Sequence, residues 1–78
     1  MFKSLDIQNQ MEVVGSDGKH VGTVDHLQDS EHIMLSKDDP KAGGQHHLIS
    51  MDWVEYVDGK VHLNQPSKRA MSEWQSAA

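Results

Sequence analysis

Cysteine is absent from this chain. That removes disulfides, thiolate metal centres and cysteine nucleophiles together. Small secreted domains usually rely on disulfides, so the absence favours a reducing compartment. Long apolar runs are missing as well. None approaches the ~20 residues that span a bilayer, and Asp6 and Gln8 interrupt the amino-terminal stretch before a signal-peptide centre can form. The expected location is the cytoplasm, in solution, without membrane insertion. Basic residues are scarce: seven Lys and Arg stand against twelve Asp and Glu, a formal charge of −5 with histidines neutral. Phosphate recognition needs clustered cations. The single adjacent basic pair, Lys68-Arg69, offers little for it, so direct nucleic-acid binding is not expected.

Aromatic residues are few too, with one Phe, one Tyr and two Trp in 78 positions. A chain of this length makes one domain, spanning residues 1–78, and buries only about 60–65% of its unfolded surface. Each large side chain therefore matters to its core.

What is present is a series of short apolar runs with strand-like period, separated by Gly, Asp and Pro. Met11–Val14, His20–Leu27, His32–Ser36, His46–Ile49, Trp53–Val57 and Lys60–Leu63 read as six strands. Asp17-Gly18 and Asp58-Gly59 supply the positive φ of tight hairpin turns. Val21 and Val24 lie three apart, which strict alternation would send to opposite faces; Gly22 between them predicts a β-bulge that reunites them. Lys37–Gln45, with Asp-Asp-Pro and Gly-Gly, reads as one long mobile loop. Beyond Pro66, Ala70, Met71 and Trp74 share a helical face, which predicts a helix over about 66–76 that must dock to persist. The expected fold is mainly β: a small curled antiparallel sheet or barrel of five to six strands, over about 7–63, with a C-terminal helix. Its core is expected from Val13, Val21, Val24, Ile33, Leu35, Leu48, Ile49, Val54, Val57, Val61 and Leu63.

Several fragments in order carry a resemblance: Val14-Gly15-Ser16-Asp17-Gly18, Val21-Gly22-Thr23-Val24-Asp25, Gly44-Gln45-His46-His47-Leu48-Ile49, Asp52-Trp53-Val54, Val57-Asp58 and Val61-His62-Leu63. Together, over roughly Ile7 to Leu63, they resemble the PRC-barrel superfamily, and within it short bacterial proteins known only as a domain of unknown function. The resemblance implies a small β-barrel used in docking and assembly, as in the H subunit of photosynthetic reaction centres and a ribosome-maturation factor. It implies no catalytic residue and no cofactor. Ser50 stands where that pattern usually has proline, which leaves the turn into Trp53 less rigid.

Six histidines are the most unusual feature of the composition. Imidazoles bind zinc, copper or nickel when three or four converge. His26, His32, His46 and His47 are the weak candidates, yet no pair has ligand spacing within a strand, and adjacent His46 and His47 point to opposite faces. Hydrogen-bonded surface histidines are the preferred reading, with no metal assigned. Asp38-Asp39 lacks the pattern of a calcium loop and reads as solvated. Neither a Gly-x-Ser-x-Gly elbow nor a phosphate loop occurs, so no catalytic set is named. Trp53 and Trp74 are expected to complete the core, the alternative being that Trp53, Tyr56 and Trp74 anchor a partner.

The function expected from all this is a non-enzymatic protein-interaction or assembly module, binding an unidentified protein or its own copies. The alternatives are a histidine-based metal-binding protein, or an accessory factor in RNA or ribosome processing that acts through protein contacts.

Overall fold

In the computed structural model, which describes residues 7–77, the chain forms seven strands and one short helix. They are β1 (Glu12–Val14), β2 (His20–Leu27), β3 (His32–Leu35), β4 (His46–Ser50), β5 (Val54–Val57), β6 (Val61–Leu63), α1 (Ser67–Glu73) and β7 (Gln75–Ala77). The strands lie in the order β5-β6-β1-β2-β3-β4-β7, an open sheet with β5 and β7 at its edges. All neighbours are antiparallel except β1 and β6, which run parallel. The sheet is thus mixed and gains a seventh strand, where an all-antiparallel set of five or six was expected.

The curl comes from β2. Its first half pairs with β1 and its second with β3, and both registers slip. Val21 has no opposite number between Val13↔Gly22 and Val14↔His20, and Asp25 has none between Val24↔Leu35 and His26↔Met34. Each extra residue bends and twists the strand, which turns the two halves of the sheet toward one another. The expected bulge at Gly22 therefore falls one residue earlier, on Val21, and it buries Val21 and Val24 together. Gly22 has a separate use: a Cβ there would lie 3.0 Å from Leu35 Cδ1. β5 repeats the device, with Glu55 unpaired between Val54↔Leu63 and Tyr56↔His62.

The core joins Val13, Val21, Val24, Ile33, Leu35, Ile49, Val54, Val61 and Leu63 with Ile7 and Ala70. Leu48 and Val57, expected in it, are only half-buried. β4 alternates strictly, so Ile49 and His47 take its buried positions and Leu48 cannot.

The C-terminal segment departs furthest from expectation. α1 stops at Glu73, where Trp74 turns extended at φ −66° and ψ 157°. Gln75–Ala77 then pairs with β4, through Leu48↔Gln75, His47↔Ser76 and His46↔Ala77. A seven-residue helix gains little by propensity, whereas an unpaired β4 edge offers ladder hydrogen bonds. The helix start is held from fifty residues away. Pro66 supplies no side-chain cap. Instead the Ser67 backbone N–H donates to Asp17 Oδ1 at 3.3 Å and its hydroxyl donates to Oδ2 at 3.1 Å. Gly15 permits that approach, because a Cβ on it would lie 2.9 Å from the Pro66 carbonyl carbon and overlap the Ser67 nitrogen.

Candidate functional site

Strand registers align one row of residues on the sheet face opposite the core cluster, with Val14 buried in its middle. Tyr56 opposes His62, His62 opposes Val14, and Val14 opposes His20. Residues directly opposed across strands share a face, so these four run in line across β5, β6, β1 and β2. Glu12 and its opposite residue Thr23 belong to the same face.

At the open edge of the row, Tyr56 is 45% exposed, the one exposed large hydrophobic side chain among the described residues. Its ring stacks on His62 with centroids 4.1 Å apart and planes within 8°. His62 Nε2–H donates to Asp58 Oδ1 at 2.7 Å. Glu55, Asp58 and Asp52 are exposed on and beside β5, giving this edge an acidic border.

At the other end sits a tight ionic network. His20 bonds Glu12 Oε2 through Nδ1 at 2.8 Å and Asp39 Oδ2 through Nε2 at 2.6 Å. Carboxylates only accept, so both ring nitrogens donate and the ring is an imidazolium. Burial opposes that charge, but the bonds and charges of Glu12 and Asp39 outweigh it and raise the His20 pKa. Glu12 is lowered in return, chiefly by the His20 hydrogen bond. Asp39 is buried, its side chain only 3% exposed. Burial alone would raise its pKa; the N–H of Lys41, the Thr23 hydroxyl and His20 together lower it. Thr23 donates to Oδ2 at 2.7 Å and the Lys41 backbone N–H to Oδ1 at 2.8 Å. Lys60 completes the set, 3.4 Å from Glu12 Oε1.

Chemically this network is a clasp. With both nitrogens engaged, His20 holds no lone pair for general-base work, and the Thr23 hydroxyl is spent on Asp39. The network ties the 37–45 segment to the sheet. Asp38 is exposed as expected of a solvated loop, but Asp39 is not, because it is the anchor.

The metal candidates are not gathered. Among the described residues, no three His, Asp or Glu side chains could hold an ion. His26 leans on Asp25 at 2.7 Å and His32 on Asp29 at 3.1 Å, both at the surface. His46 Nδ1–H donates to the Leu35 carbonyl at 3.1 Å. His47, buried on the core side of β4, donates Nε2–H to the Ala42 carbonyl at 3.2 Å, and its Nδ1 is buried without a partner. Burial first, and the nearby His46 charge second, lower its pKa. The Trp74 ring lies 3.9 Å away, tilted by 39°.

Trp53 and Trp74 are both half-buried and packed against the core; neither is fully enclosed. Ser50 orders the turn it was expected to loosen. Its hydroxyl accepts the Asp52 N–H at 3.1 Å and caps a 3-10 turn over Met51–Trp53.

Sequence reasoning named Tyr56 but missed Glu12, His20, Thr23 and His62 as its companions. The hairpin turns were the available signal, since pairing outward from Asp17-Gly18 and Asp58-Gly59 puts these residues face to face. Asp39 had no such signal, because it arrives from a distant loop.

A family model described as an uncharacterized protein conserved in bacteria, DUF2171, matches residues 7–71. A search of curated proteins finds no match.

Proposed function

We propose, from the premise that this chain belongs to the bacterial DUF2171 family, that it is a non-enzymatic interaction module of the PRC-barrel type, working in the cytoplasm. The observation that carries the proposal is Tyr56. A chain with so few aromatics leaves its one tyrosine exposed, stacked flat on His62 at an open sheet edge. Exposed aromatic rings of this kind serve as binding anchors. One face of the ring is taken by His62. The exposed part of the side chain can meet a partner's apolar or cationic group, and the border of Glu55, Asp58 and Asp52 favours a partner of positive charge.

Two further observations support the reading. The half-buried imidazole–carboxylate network has no free ring nitrogen, which speaks against its use as a catalytic base. The bulge at Glu55 blunts β5 against strand-to-strand pairing, which favours a different protein over an edge-to-edge copy.

The test is affinity capture from the native cytoplasm with wild type and Tyr56→Ala side by side, alongside thermal melts of both. The expected result is a partner held by wild type, weakened by salt and lost with Tyr56→Ala, at an unchanged melting temperature. Identical captured sets for the two proteins would refute this surface.

A further inference from the structure

β7 pairs along the edge of β4, and the Trp74 ring just before it packs on His47, so residues 74–77 form a strap that closes off this residue. The geometry defines that ring's state. Nε2 faces a carbonyl, which only accepts, so Nε2 carries the proton and Nδ1 holds a lone pair. Nδ1 is buried with no partner among the described residues. A second proton there would create a donor with no acceptor, on a charge removed from water. A protonated ring would be attracted to the Trp74 face by a cation–π contact, but that attraction is worth less than an unmet buried charge.

We infer that residues 74–77 are an acid-released strap: when His47 takes a proton, Trp74 and β7 leave β4, and the ring reaches water. This goes beyond the binding face proposed above, since the strap is on the opposite edge of the sheet.

Among the described residues, the surrounding charges do not rescue the protonated ring. On its own strand, His46 acts against a second positive charge. On β3 the residue opposite is Leu35. In the 37–45 segment, Asp39 is turned to His20 and Thr23, while Lys37, Asp38 and Lys41 are exposed. On α1, Glu73 is engaged with Arg69, and β7 brings only Gln75, Ser76 and Ala77. The sign follows from linkage. The held ring binds a proton less readily than the released one, so the strap is most stable above the ordinary histidine value near 6.5. Below it, each pH unit shifts the balance toward release by about tenfold until the held ring itself titrates.

Backbone {1H}-15N heteronuclear NOE on the full chain between pH 7 and pH 5 tests this. The Gln75 and Ser76 values should fall to those of a free tail, while β1 and β6 stay rigid. In His47→Phe, which keeps a ring against Trp74, the strap should stay ordered at pH 5. In His46→Gln, release should persist but move to higher pH. The wild-type His47 ring resonances give a check that needs no variant, since their titration must coincide with release. An ordered wild-type strap at pH 5, equal loosening in His47→Phe, or release uncoupled from the His47 titration would each overturn the inference.

Discussion

Two histidines on neighbouring parts of one small sheet are set to opposite protonation states. His20 is clamped between Glu12 and Asp39, and its charge is what makes the clamp. His47 is enclosed by the Ala42 carbonyl, Trp74 and the core, and its neutrality is what lets it be enclosed. Both hold the same 37–45 segment, one through Asp39 and the other through Ala42. The difference shows that burial does not decide the charge of an imidazole by itself; the acceptors within reach decide it. One segment is consequently held by one histidine that must be charged and another that must be neutral.

The largest effect expected from disturbing this pairing is at Asp39. Asp39→Ala leaves His20 with Glu12 alone and takes the Asp39 acceptor from the Thr23 hydroxyl and the Lys41 N–H, and should cost about 3 kcal/mol at pH 7 by chemical denaturation. Asp39→Asn should cost less and bring the His20 pKa back down. A loss near zero in Asp39→Ala would mean that the clasp holds nothing.

Trp74→Ala comes next, at about 2 kcal/mol, since the ring is half-buried on His47 and the core. Thermal melts at two protein concentrations should show the same loss at each, and the His47 pKa should rise as water reaches the ring. An unchanged melting temperature would assign Trp74 to a partner instead.

His20→Gln should cost about 1 kcal/mol below pH 6.5 and less at higher pH. The sign follows from the raised pKa of His20: its contribution is complete below the ordinary value and fades as pH climbs through the raised one. A cost that grows with pH would reverse the assignment. Tyr56→Ala should be the smallest, within about 0.5 kcal/mol, because nearly half the side chain is already in water.

Much of the sheet was legible in local signals. Asp17-Gly18 and Asp58-Gly59 marked two hairpins, and the odd Val21–Val24 spacing announced a bulge. The same spacing at Val54 and Val57 accompanies the bulge at Glu55. What escaped was non-local. The parallel β1–β6 contact and the Asp17–Ser67 cap join residues with no sequence relation. Gln75-Ser76-Ala77 has no strand propensity of its own and becomes a strand because β4 presents an edge. Asp39 looked like any loop aspartate, and only the fold that brings His20 and Thr23 beneath it turns it into an anchor.

Site-resolved NMR titration of the six imidazoles in the wild-type protein tests the opposed pair most directly. The account predicts that the His20 ring titrates above the ordinary value near 6.5 and the His47 ring below it, with Nδ1 of His47 unprotonated at pH 7. Coincident titration of the two rings, or the reverse order, would contradict it.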